Sequence, residues 1–126
     1  TECEDLEAAL AANVLGPHRL TRALLGPLLE ARGVVVNVSS DAAVSAYPGW
    51  GAYSASKAAL LHATKIWDAL LEARGVRFVS FDPGDMDTPM HAAALPDADP
   101  ATLKRPAASA EELLATIAPL IARGAS

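Results

Sequence analysis

Tyr53 and Lys57 stand four residues apart in the run Tyr53-Ser54-Ala55-Ser56-Lys57, and Ser40, of the pair Ser39-Ser40, precedes Tyr53 by thirteen positions. Residues i and i+4 of a helix share a face, so the ammonium of Lys57 can approach the Tyr53 phenol. An ordinary phenol titrates near ~10 and exchanges protons poorly at neutral pH. A fixed positive charge nearby favours the phenolate and brings the group closer to the range of a general acid/base. Tyr-x-x-x-Lys by itself is carried by many helices, so its setting has to support the reading.

Four elements would position these groups. The unbroken apolar run Val34-Val35-Val36-Asn37-Val38 reads as a strand buried on both faces of a parallel sheet and leads into Ser39-Ser40. The turn Tyr47-Pro48-Gly49-Trp50-Gly51 then opens a helix from Trp50 to Arg74. A second strand, Val76 to Phe81, ends in Asp82-Pro83-Gly84. Strand, helix and strand on this spacing predict a right-handed βαβ crossover. Ligands on such sheets bind beyond the carboxyl ends of the strands, where Ser40 and Pro83-Gly84 fall.

Upstream, Glu4 to about Ala31 reads as one long helix interrupted by Pro17 and Pro27. Pro17 has no N–H to give the carbonyl of Asn13, which an unbroken helix would have paired with it. Downstream, residues 88–106 are rich in Ala, Pro and Asp and read as a loop with a short helix near Met90–Ala94. Ser109-Ala110-Glu111-Glu112 has the form of a capping box opening a last helix to about Arg123.

Asn13, Asn37-Val38-Ser39-Ser40, Tyr53-Ser54-Ala55-Ser56-Lys57 and Pro83-Gly84-Asp85-Met86-Asp87-Thr88 together resemble the short-chain dehydrogenase/reductase family, in order and in spacing, from about Glu4 onward. The resemblance implies an α/β fold, a Rossmann-like doubly wound parallel sheet, and an NAD- or NADP-dependent oxidoreductase that interconverts a carbonyl and an alcohol. It implies Tyr53 as acid/base, and Lys57 as the group that lowers its pKa and binds the nicotinamide ribose. Ser40 would be the donor to the substrate oxygen, and the backbone carbonyl of Asn13 a water holder in a proton relay. Pro83, Gly84, Met86 and Thr88 match the segment that packs on the nicotinamide, and 88–106 matches the substrate lid. Ala43 departs from a glycine frequent in the family after the serine pair.

The family's glycine-rich turn, which cradles a pyrophosphate at a helix N-terminus, is not in this sequence, because Gly49 and Gly51 lack the strand–turn–helix context. Residues 1–126 are therefore expected to be the C-terminal catalytic half of a longer single domain. Alone they are expected to bind a dinucleotide weakly.

Composition narrows the alternatives. The chain has 126 residues, is 52% hydrophobic with 5% aromatics, and carries a net charge of −5 at a pI of about 5.0. With no basic stripe, nucleic acid and anionic membranes are not expected partners. No apolar run reaches the ~20 residues of a membrane span. No Cys/His/carboxylate cluster has metal-ligand spacing, and the single Cys3 suits a cytoplasmic location. His18, His62 and His91, Trp50, and the loop carboxylates Asp41, Asp85 and Asp87 take ordinary surface or packing readings. Leu60, Leu61, Leu70 and Leu71, with the leucines of the first helix, exceed what one sheet face covers, and by resemblance they imply a homodimer or homotetramer. Two other readings stand beside the enzyme: a binding or scaffold protein that keeps the fold without turnover, and a helical oligomerisation module. Neither accounts for the Ser-Tyr-Lys spacing.

Overall fold

The structure is a computed structural model and describes residues 2–45, 49–86, 95 and 97–125. The expected first helix is broken into pieces, and the two prolines account for the breaks. Helix α1 spans Cys3–Leu10, a π-helical turn follows at Ala11–Leu15, and α2 (Gly16–Ala23) and α3 (Leu25–Ala31) complete the segment. Pro17 offers no N–H to the turn before it, and the Gly16 N–H instead reaches back five residues to the Ala11 carbonyl. Pro27 likewise cannot donate to Ala23, and its ring crowds that carbonyl, so the helix path bends at Leu24 (φ −97°, ψ 6°). Arg32 ends α3 in the left-handed region at φ 52°.

Strand β1 spans Val34–Val38, as read from the sequence, and β2 spans Arg77–Phe81. They pair in parallel, Val34 opposite Arg77 and Val38 opposite Phe81. Between them α4 runs Gly51–Leu71 and tightens into a 3-10 turn, Glu72–Arg74. Gly75 follows at φ 89°, and a Cβ there would lie 2.9 Å from Arg32 Cγ. The strand–helix–strand unit is thus the one the apolar pattern predicts.

The core lies between α3, α4 and the sheet. Leu71, Val76 and Phe78 are buried, with Leu25, Leu28, Leu29, Val35 and Trp67 packed against them. Trp67 stacks on Phe78 at 5.6 Å and 20°, and His18 lies tilted against Trp67 at 5.6 Å. Burying a side chain such as fully covered Val76 contributes about 1.5–3 kcal/mol. Expected burial of β1 on both faces is not met: Val34 to Asn37 are half-buried and Val38 is 51% exposed. Among the described residues, α4 and α5 (Pro106–Ala125) both contact β1.

The last helix begins earlier than its capping box suggests. Pro106 takes the first helical position, where its missing N–H costs nothing, and Ser109 lies inside α5. A 3-10 turn at Pro100–Thr102 precedes it within the expected lid; the short helix expected at Met90–Ala94 lies outside the described residues. No described helix is long and apolar enough to cross a membrane.

Candidate active site

Helix α4 presents Tyr53 and Lys57 on one face near its start. Trp50 is the N-cap residue, and its carbonyl accepts the Ser54 N–H at 2.8 Å. Its ring meets Tyr53 edge to face, 6.2 Å between centroids at 89°. Tyr53 is 38% exposed, which leaves the phenol accessible. Lys57 Nζ lies 5.8 Å from the centre of the Tyr53 ring and donates to the carbonyl of Val38 at 2.8 Å. Val38 is the last residue of β1, so the ammonium sits at the carboxyl end of the strand. Partial burial there lowers the Lys57 pKa from the ordinary 10.5.

Ser40 follows two residues after Val38. Its backbone is extended (φ −157°, ψ 155°), and its hydroxyl accepts the Ala42 N–H at 3.2 Å, capping the 3-10 turn Asp41–Ala43. The same hydroxyl donates to Asp41 Oδ1 at a long 3.4 Å. That turn packs on α4, so Ser40, Tyr53 and Lys57 share one end of the βαβ unit, although the hydrogen bonds of Ser40 are local.

Asn13 reaches the same helix by its side chain. Its Nδ2 donates to Ser56 Oγ at 2.9 Å, and Ser56 Oγ donates to the Tyr53 carbonyl at 2.8 Å. Ser56 is fully buried. The device recurs two turns on: Asn37 Nδ2 donates to Thr64 Oγ1 at 3.0 Å, and Thr64 Oγ1 donates to the Leu60 carbonyl at 2.7 Å. Two asparagines from different elements thus pin one face of α4. Sequence reading missed Ser56 and Thr64; small hydroxyl residues eight apart within an apolar helix face were the available signal.

At the carboxyl end of β2, Asp82 Oδ1 accepts the Gly84 N–H at 2.9 Å, and Gly84 turns the chain at φ 79°. The Pro83 carbonyl accepts from Ser109 Oγ at 2.6 Å and from Lys104 Nζ at 3.2 Å. Lys104 also pairs with Glu112 at 2.5 Å, and its N–H donates to the Asp85 carbonyl at 2.8 Å beside the Met86–Lys104 bridge. Ser109 is therefore a buried partner of Pro83 and not a helix cap. Thr88, Asp87 and His91 lie outside the described residues. A shallow groove of about 430 Å³ runs along α4 and β2 past Lys65, Asp68, Glu72 and Arg77, away from Tyr53 and Lys57.

Comparison with known proteins gives the family. The family model described as short chain dehydrogenase matches residues 1–99. The chain belongs to the short-chain dehydrogenase family. It is 38% identical over 91 residues to 2-(R)-hydroxypropyl-CoM dehydrogenase of Xanthobacter autotrophicus, a match covering 71% of this chain and 36% of that protein. It is 35% identical over 88 residues to a 3-oxoacyl-(acyl-carrier-protein) reductase of Thermotoga maritima, covering 69% and 36%. A short chain dehydrogenase from Salmonella enterica serovar Typhi superposes with a TM-score of 0.82 at 29% identity, over 95% of this chain and 48% of that one. One from Escherichia coli complexed with NADPH gives 0.81 at 30%, over 96% and 49%. This short-chain dehydrogenase chain thus spans about a third of the length of those curated relatives and about half of those structures. The fold is the corresponding part of a Rossmann-like domain.

Proposed function

We propose that the chain is the C-terminal catalytic half of an NAD(P)-dependent oxidoreductase that interconverts a carbonyl and an alcohol. The observation that carries this reading is the Lys57 ammonium held at the carboxyl end of β1, 5.8 Å from the ring of an exposed tyrosine. The family's relatives include a dehydrogenase and a reductase, one relative is named NAD-dependent, and one structure is an NADPH complex.

The residues present fit the nicotinamide end of such a cofactor. Lys57 and Tyr53 offer an ammonium and a phenol beyond β1. Pro83 and Gly84 turn the chain beyond β2, where the Cβ-free side of Gly84 is covered by the Lys104 stem, and Met86 and Thr88 follow in the same motif. A bound nicotinamide would supply the hydride in reduction and accept it in oxidation. In reduction, Tyr53 gives its phenolic proton to the substrate oxygen; in oxidation it takes the proton from the alcohol. Burial lowers the Lys57 pKa, which eases its part in returning the proton. Ser40 donates to the substrate oxygen as charge develops there. Asn13 offers its backbone carbonyl, which Pro17 cannot pair in an α-helical turn, to a water on the route to Lys57, while its side chain holds α4 through Ser56.

The same reading has the protein acting in a reducing cytoplasm, where exposed Cys3 stays a thiol, and as a homodimer or homotetramer. Leu20, Ile66 and Leu70, 61%, 50% and 65% exposed, are the side chains such an assembly would cover. Sedimentation of the protein beside a Leu20→Asp/Leu70→Asp variant tests this; an unchanged monomer in both excludes it.

The activity is tested by following NADH or NADPH oxidation by the full protein against a carbonyl panel, beside Tyr53→Phe. The variant should fold normally and lose about 10²–10⁴-fold in turnover. Equal rates exclude Tyr53 as the acid/base, and absence of turnover in both proteins favours a binding or scaffold role.

A further inference from the structure

We infer that Ser109, Lys104 and Glu112 form a clamp on the Pro83 carbonyl that sets the plane of the Pro83–Gly84 peptide and so positions the backbone at the nicotinamide end of the site. The role at the nicotinamide rests on the oxidoreductase reading above; the clamp itself rests on the hydrogen bonds.

Gly84 is the reason a clamp is needed. Glycine reaches both signs of φ at little cost, so a turn built on it can flip its peptide plane. Here both polar ends of the peptide are held, from two directions. Asp82 Oδ1 accepts the Gly84 N–H at 2.9 Å. On the opposite side, Ser109 Oγ and Lys104 Nζ donate to the Pro83 carbonyl at 2.6 and 3.2 Å. A flip breaks all three bonds together, turning the carbonyl toward the Asp82 carboxylate and the N–H toward the Ser109 and Lys104 donors.

The donors are themselves fixed. Ser109 is 3% exposed and sits inside α5, so its hydroxyl has few other directions to point. Lys104 is tied at its side chain to Glu112 at 2.5 Å and at its backbone to Asp85 at 2.8 Å. Its stem also lies on Gly84, where a Cβ would come within 3.1 Å of Cδ. All three clamp residues lie beyond residue 99, where the family match ends. They act through the Pro83 carbonyl and are positioning residues.

The test compares Ser109→Ala, Ser109→Thr and Lys104→Met in the full protein. Two readouts are taken: amide hydrogen exchange at Gly84 and Lys104, and the kcat and KM for NADH and NADPH. Ser109→Ala should speed exchange at Gly84 and raise the cofactor KM, each by about two- to tenfold. Its kcat should stay within about twofold, and Ser109→Thr should restore both. Lys104→Met, at a partly exposed side chain, should act in the same direction and covers the case in which Ser109→Ala fails to fold. Unchanged exchange in Ser109→Ala and Lys104→Met overturns the clamp. Faster exchange with an unchanged cofactor KM overturns its positioning role. A wild-type protein without turnover sinks the oxidoreductase reading and the nicotinamide role with it, while the exchange rates still decide whether the clamp exists.

Discussion

Lys57 donates its ammonium to the Val38 carbonyl at 2.8 Å, which ties the start of α4 to the carboxyl end of β1. The contact fixes an amine where a strand's backbone oxygen would otherwise face solvent, and it does so at the cost of part of the ammonium's hydration.

That cost has a pH signature. The Lys57 pKa is lowered in the folded chain and keeps its ordinary value of 10.5 when unfolded. Between the two values the unfolded state binds more protons, so stability rises with pH there. The penalty is fully present below the folded pKa and is relieved as pH climbs toward 10.5. Urea midpoints taken from neutral pH upward should show wild type gaining on Lys57→Met across this window. A difference that stays constant with pH would contradict the assignment.

Asn13 and Ser56 should be energetically coupled. Asn13→Ala removes one donor from a buried hydroxyl that keeps its bond to the Tyr53 carbonyl, so the cost should be about 1 kcal/mol. In a double-mutant cycle with Ser56→Ala, the coupling should reach about 0.5–1 kcal/mol by urea unfolding. Additive losses would mean that the contact contributes nothing to stability.

Asp68 should matter more than its partner Arg77. Its Oδ1 accepts both Arg77 Nε at 2.8 Å and the Phe78 N–H at 2.9 Å, while Oδ2 accepts from Arg77 at 3.2 Å. Arg77 N–H bonds toward β1, to Gly33 at 3.1 Å, so the next N–H, that of Phe78, points to the outer edge of β2. Asp68→Ala strands that N–H, leaves the guanidinium its longer approach to Glu72 at 3.9 Å, and should cost about 2–3 kcal/mol. Arg77→Gln leaves Asp68 on Phe78 and should cost about 1 kcal/mol or less. Thermal or urea unfolding ranks the two; a reversed order refutes the role of the edge N–H.

Gly75→Ala should destabilise by about 1–2 kcal/mol, since φ 89° disfavours a side chain and the new Cβ would press on Arg32 Cγ. Arg32→Ala in the same background should recover the steric share only. Full recovery would place the whole penalty in the clash and none in the backbone.

These residues also show how far the sequence could be read. Strand β1 was legible to the residue, because a continuous apolar run between a glycine and a serine pair has few other uses. Helix α4 and the pairing of Tyr53 with Lys57 followed from spacing. The first helix was not legible as four pieces, because periodicity persists through Pro17 and Pro27 while the hydrogen-bond pattern changes. Ser109 was misread because a Ser-x-x-Glu pattern looks the same at a helix start and one turn inside it. Lys104 went unseen in a loop of weak periodicity, since its partners Pro83 and Glu112 are joined to it only by the fold.

The π turn at Ala11–Leu15 takes in one residue more than an α turn would. Each residue winds a helix by about 100°, so the turn acts as a gear tooth between α1 and α2. It lets α1 lie along α4, and Asn13 meet Ser56, while α2 still turns Thr21 inward. Losing that tooth, or gaining a second, would swing Cys3–Leu10 off α4 with Ser40, Tyr53 and Lys57 unchanged. Insertions and deletions in this short stretch, Ala11-Ala12-Asn13-Val14-Leu15, are therefore under tighter geometric control than its plain composition suggests.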